Sequence, residues 1–139
     1  MNNTIQGEKL LKNYLNCSQN IFELQQDLMT LILHCADISN PAKKYENIYN
    51  KWTENIMKEF FSEGDLEHEK GLPINFLCDK NTTIIQQGQI NFIKGSVLPT
   101  FLLLNHLVPT IKEYIDNLYE NIEIYQKQLD EINGQHNES

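Results

Sequence analysis

From Ile111 to Ile132 the apolar residues Ile111, Ile115, Leu118, Ile122, Tyr125, Leu129 and Ile132 follow one another in alternating steps of four and three. That is a heptad seam of about three heptads. Only an α-helix presents it as one stripe, because a strand would scatter it over two faces. Related spacings run through the rest of the chain. In "QNIFELQQDLMTLILHCA", residues 19–36, Ile21, Leu24, Leu28, Leu31 and Ile32 stand at helical spacing. Ile48, Trp52, Ile56 and Phe60 recur every four residues, and Met57 and Phe61 widen that stripe. No stretch alternates with a period of two, and no segment repeats. The expected fold class is all-α, a compact multi-helix domain.

Prolines and glycines punctuate this pattern. Pro41 disfavours helical geometry at Asn40, so the first helix is expected to end between Asp37 and Ser39. A second helix is expected over 46–62, followed by a charged turn, "EGDLEHEKGLP", with Gly64 and Gly71 as breakers and Pro73 closing it. "CDKNTTIIQQG" reads as a loop feeding a helix capped by Asn81 or Thr82. Pro99 marks a kink or a new segment, and Pro109 suits the first turn of the last helix. The organisation is then a lead-in over 1–18, a main helical region over 19–110, the heptad helix over 111–132 and a frayed polar tail over 133–139.

The 139 residues, 40% of them apolar, suit one domain with one core. A net charge of -8 argues against non-specific binding to nucleic acid or an anionic membrane. Cys17, Cys35 and Cys78 are odd in number and widely spaced, which points to a reducing, cytoplasmic setting. The N-terminal stretch lacks the continuous apolar core of a signal peptide. The most apolar run, "SVLPTFLLLNHLVPTI", is too short and interrupted to span a bilayer. The heptad seam needs an apolar partner surface. Exposed, its residues Ile111, Ile115, Leu118, Ile122, Leu129 and Ile132 would invite self-association or a protein partner.

Chemistry concentrates in "HCADISNPAK", residues 34–43. His34 and Asp37, three apart, share a face if both are helical, and a carboxylate with an imidazole suits zinc, manganese or iron. On spacing alone the commoner reading is a helix-end aspartate bonding nearby backbone. Gln89 and Phe92 are likewise three apart. An amide that both donates and accepts, beside an apolar plate, can serve a purine. Taken alone, a rim glutamine and a core aromatic are the commoner case. "GDLEHEKG" brings Asp65, Glu67, His68 and Glu69 together, a grouping that reads better as a solvated turn than as a metal site. His106 reads as a packed histidine.

Taken in order, "HCADISNPAK", "WTENIMKEFF", "EGDLEHEKGLPI", "LCDK" and "GQINFI" resemble the catalytic domain of class I 3',5'-cyclic nucleotide phosphodiesterases, over about residues 19–110 and over the C-terminal half of that domain only. The resemblance implies metal-assisted hydrolysis of a 3',5'-cyclic nucleotide to a 5'-monophosphate, with zinc and magnesium or manganese as the metals of the complete site. It implies that Asp37 is a metal ligand and that Asn40 lines the pocket near base and ribose. It makes Tyr49, Trp52, Ile56, Met57, Phe60 and Leu77 pocket-lining or supporting residues, Gln89 the group that bonds the purine edge and Phe92 the ring that stacks on the base. Gly88 and Asn91 stand where the family more often has serine and glycine.

The family's remaining ligands lie in motifs of the types "HNxxH" and "HDxxH", and this sequence contains neither. Its four histidines, at 34, 68, 106 and 136, cannot rebuild that set. The chain alone is therefore expected to be inactive. It reads as part of an active enzyme, as a nucleotide-binding or regulatory remnant, or as a structural subunit of an assembly. Asn40 and Pro41 resemble cAMP-hydrolysing members more than strictly cGMP-specific ones.

Overall fold

The computed structural model describes residues 2–136, with side chains from 20 to 134. Five α-helices follow in order: α1 (Asn2–Asp37), α2 (Asn50–Glu69), α3 (Ile85–Phe92), α4 (Leu98–Leu107) and α5 (Lys112–His136). Short 3-10 turns stand at Asn40–Ala42 and Pro109–Ile111, and single π turns at Tyr45–Tyr49 and Ile93–Val97. There is no strand among the described residues. The expected all-α class is what the chain adopts.

The chain divides into two units, Met1–Ala36 and Asp37–Ser139. The first is nearly all of α1, which runs unbroken past the expected boundary between a lead-in and the main region at residue 18. One helix has no second surface within its own unit on which to bury a stripe. Ile21, Leu24, Leu28 and Ile32 accordingly stand exposed. The helix ends at Asp37, as the proline at 41 requires.

The second unit has an interior core. Ile90, Ile93, Val97, Phe101 and Leu104, in steps of three and four, form one buried stripe that runs from α3 through the π turn into α4. Pro99 falls in the first turn of α4, directly after the π turn. Against α3 and α4 lies α5, which also packs on the turn Asn40–Ala42. The heptad seam is how it does so. Ile115, Leu118, Tyr125 and Leu129 are buried, and Ile111, Ile122 and Ile132 half-buried. The expectation that this seam reaches outside for a partner is thereby corrected, since its apolar surface is covered by the chain's own helices. Full burial of Leu118 alone contributes about 1.5–3 kcal/mol.

Helix α2 runs to Glu69, seven residues past its expected end, and takes in Gly64 and most of the charged segment. Gly64 is no breaker. A Cβ there would lie 2.1 Å from the carbonyl oxygen of Cys78, so glycine is the residue that lets the 75–79 loop close onto the helix. Gly71 does stop the helix. At φ 68° it occupies the left-handed region, its N–H bonds the carbonyl of His68 and the next N–H, of Leu72, bonds that of Glu67. Glu67 also accepts from the Asn75 N–H at 2.8 Å, and Asp65 pairs with Lys80 at 2.7 Å. The acidic stretch therefore docks a loop rather than forming a free turn. That loop is shaped by Asp79, whose carboxylate accepts from the Asn81 N–H at 2.9 Å and the Thr82 hydroxyl at 3.0 Å. Those bonds hold it below the usual carboxylate pKa range. The expectation that Asn81 or Thr82 caps the helix is thereby corrected: both lie in this loop, and α3 starts only at Ile85, after Ile84, without a side-chain cap.

Candidate functional site

A cavity of about 230 Å³ opens between α2, α3 and the loop joining them. Its walls are Trp52, Ile56, Met57 and Phe60 from α2, Leu77 and Thr83 from the loop, and Ile85, Gly88, Gln89 and Phe92 from α3. Both helices present the site through simple periodicity. Trp52, Ile56 and Phe60 recur one turn apart, and Ile85, Gly88, Gln89 and Phe92 occupy i, i+3, i+4 and i+7. Seven of the nine residues expected to bind or support a nucleotide therefore share one cavity.

The other two lie off its surface, in different ways. Tyr49 is fully buried behind it, stacked on Trp52 with ring centroids 6.3 Å apart, and its hydroxyl donates to Gln89 Oε1 at 2.5 Å. Gln89 is itself only 8% exposed. Its amide is thus fixed at one atom and turned to the cavity with what remains: one lone pair on Oε1 and two N–H donors on Nε2. Burial, and after it the neighbouring Tyr125, raise the pKa of the Tyr49 phenol well above its ordinary value, so this donor stays protonated. Asn40 is not among the lining residues. It begins the 3-10 turn Asn40–Ala42, where its Oδ1 accepts from Lys43 Nζ at 3.2 Å.

That turn is clamped from α5. Asn121, 1% exposed, donates from Nδ2 to the carbonyls of Pro41 at 2.7 Å and Lys43 at 2.8 Å, and Asn117 donates to that of Ala42 at 3.0 Å. Three main-chain acceptors that no helix could satisfy are met by two asparagines one turn apart. Neither asparagine stood out in the sequence, because they sit beside an apolar seam that reads as packing. Ile85 and Gly88 were legible in principle, since they share the α3 face of Gln89 and Phe92. Thr83 carried no signal.

Asp37 is exposed at the end of α1, and so is His34. No group of three histidine, cysteine, aspartate or glutamate side chains able to hold a metal occurs among the described residues. One exposed carboxylate does not fit the metal centre that the family resemblance implies. His106 is exposed, not packed, and its Nδ1 lies 2.8 Å from the Leu102 carbonyl oxygen on its own helix.

The cavity joins apolar plates to a single amide held by Tyr49. The family model for 3'5'-cyclic nucleotide phosphodiesterase matches residues 1–118. The chain belongs to this family. It is 42% identical over 124 residues to 3',5'-cyclic-AMP phosphodiesterase 4C of Rattus norvegicus, covering 88% of this chain and 22% of that protein. It is 37% identical over 111 residues to the dual specificity calcium/calmodulin-dependent 3',5'-cyclic nucleotide phosphodiesterase 1 of Drosophila melanogaster, covering 80% of this chain and 13% of that protein. In three dimensions it resembles LmjPDEB1, solved in complex with IBMX, with a TM-score of 0.68 at 27% identity over 73% of this chain and 31% of that one. The chain thus spans less than a quarter of the length of these curated phosphodiesterases. The family match reaches into α5 but ends at residue 118, before Asn121 and Tyr125. No helix among the described residues is long and apolar enough to cross a membrane.

Proposed function

We propose that this chain forms the purine-binding wall of a 3',5'-cyclic nucleotide phosphodiesterase, an enzyme that opens the cyclic phosphodiester to a 5'-monophosphate. The observation that carries this reading is the Tyr49–Gln89 hydrogen bond at an otherwise apolar cavity lined by Phe92 and Trp52. A purine is flat and apolar on its faces and polar on its edge. Phe92, 36% exposed, supplies a plate for stacking, and Gln89 supplies the edge partner. Adenine and guanine present opposite donor and acceptor orders on that edge, with N6–H beside an acceptor in one and O6 beside N1–H in the other. An amide held in one orientation therefore favours one purine. The relative that is 42% identical acts, by its name, on 3',5'-cyclic AMP, so adenine is the base proposed. In this reading Asn40 stands near base and ribose on the clamped turn, Asp37 is the one carboxylate offered to a metal, and the other hydrolytic ligands come from outside these 139 residues.

The test is titration of the purified chain with cAMP and with cGMP. Saturable binding that favours cAMP and is lost in Gln89→Ala is the expected result. Equal, Gln89-independent binding of both nucleotides would overturn the reading. Hydrolysis is tested separately. The chain alone, given zinc and magnesium, should turn over neither nucleotide. A phosphodiesterase half carrying the two histidine motifs, added in trans, should restore turnover that Asp37→Ala then abolishes. Metal-dependent hydrolysis by the chain alone, lost in Asp37→Ala, would refute the division of labour.

A further inference from the structure

Of the residues that wall the cavity, Leu77 and Thr83 belong to no helix. Leu77 stands third in a four-residue turn, Asn75 to Cys78, closed by the Cys78 N–H on the Asn75 carbonyl at 2.8 Å. Its place in the wall therefore depends on how the two ends of that turn are fixed. The Cys78 end is fixed by packing, since its side chain is buried and its carbonyl lies over Gly64. Asn75 is exposed and has no such support. It is held from α2 by Glu67, whose Oε2 accepts from the Asn75 N–H at 2.8 Å while its own carbonyl accepts from the Leu72 N–H at 2.9 Å. Gly64 and Glu67 are three residues apart, so both anchors of the turn stand on one face of α2. Glu67 is otherwise a poor choice for its position. It lies in the last turn of α2, where the helix dipole disfavours a carboxylate, and four residues after the like charge of Glu63. A residue that breaks a local rule marks a place where something other than the helix is served. The neighbouring acidic contact, Asp65 with Lys80, joins two exposed side chains outside the turn, and such a pair contributes little. The Glu67 contact is of the stronger kind, a half-buried charged acceptor on a main-chain donor.

We infer that Glu67 is a positioning residue for the cavity: through the Asn75 N–H it sets the place of Leu77 in the wall, without itself reaching the cavity. The consequence for nucleotide binding rests on the base-binding reading above; the place of Leu77 does not.

Two variants separate this role from a merely helical one. Glu67→Ala deletes the acceptor but suits the helix, since alanine has the best helix propensity and removes the charge conflict. Glu67→Gln removes the charge and keeps an acceptor oxygen at the same reach. In the full chain with carbon-13-labelled leucine methyls, the Leu77 signals are assigned by their loss in Leu77→Val. Their relaxation should show an ordered side chain in the parent, a mobile one in Glu67→Ala and an ordered one again in Glu67→Gln. Titration with cAMP should follow, the affinity falling about fivefold in Glu67→Ala, the change expected from one lost hydrogen bond, and returning to within about twofold of the parent in Glu67→Gln. Helicity by circular dichroism should equal the parent's in both variants. Unchanged Leu77 order in Glu67→Ala would overturn the inference. A glutamine variant as mobile as the alanine one would also overturn it, because the charge and not the hydrogen bond would then be at work. So would loss of helix in Glu67→Ala, which would reduce Glu67 to a structural residue of α2. Leu77 order that follows the expected pattern in a chain that binds no cAMP would support the positioning role and remove the base-binding reading instead.

Discussion

At the scale of single residues, function and stability lie on different side chains, and the two separate experimentally. Phe92 offers its face to the cavity and is little needed by the core, so Phe92→Ala should weaken cyclic nucleotide binding by roughly 1–3 kcal/mol while the urea midpoint moves little. Asn121 is the opposite case. It touches no cavity, yet Asn121→Ala would strip the carbonyls of Pro41 and Lys43 of their donor in a buried setting. A loss of about 2–4 kcal/mol in unfolding free energy is expected from equilibrium urea denaturation, because buried acceptors left unpaired cost more than an ordinary hydrogen bond gains. Only one of these two residues was legible in the sequence. Phe92 stands three residues after a glutamine, and with the family resemblance the pair reads as amide plus plate. Asn121 is recognisable only from the three-residue turn it meets, some 80 positions away in the chain.

At the scale of elements, glycine shows how one residue type takes opposite roles. Gly64 and Gly71 read alike in the sequence, as breakers of a charged segment. In the fold Gly71 ends α2 at positive φ, while Gly64 sits inside the helix beneath the Cys78 carbonyl. Gly64→Ala should therefore destabilise despite alanine's better helix propensity, since its methyl meets backbone rather than a side chain that could yield. Gly95, in the π turn before α4, has nothing within 4 Å of a built Cβ. Gly95→Ala should raise stability by up to about 1 kcal/mol. Thermal melts of the two variants should move in opposite directions, and two downward shifts would refute the account of Gly95. Helix α5 teaches a related lesson. Its 4-3 spacing fixed the helix and its buried face, but not the partner. The partner is the chain's own α3 and α4, because those helices carry a complementary stripe from Ile90 to Leu104.

At the scale of the whole molecule, the buried tyrosines couple stability to alkaline pH. Burial, more than any other cause, pushes the Tyr125 phenol up from 10.0 to about 12, and Tyr49 further still. Between the unfolded and folded values the native state holds protons that the unfolded chain has released. Stability is therefore complete below about pH 10 and falls as pH rises towards 12. Urea midpoints measured from pH 8 to 11.5 should be flat and then decline, and Tyr125→Phe should make the decline shallower. A midpoint that stays level to pH 11.5 would contradict this.

What the sequence determined by itself was local or periodic: the all-α class, the helix end before Pro41, the apolar faces, and a cavity wall written at helical spacing on two helices. Local sterics and a 3.6-residue repeat act within one or two turns, so they can be read along the chain. The tertiary structure alone decided which acceptor each buried donor meets. Tyr49 reaches Gln89 across 40 positions, Tyr125 reaches Thr53 across 72, and Asn121 reaches Pro41 across 80. A hydrogen bond over such separations leaves no period and no motif. It exists because folding buries both partners together, where an unpaired polar group is costly enough to make the match selective.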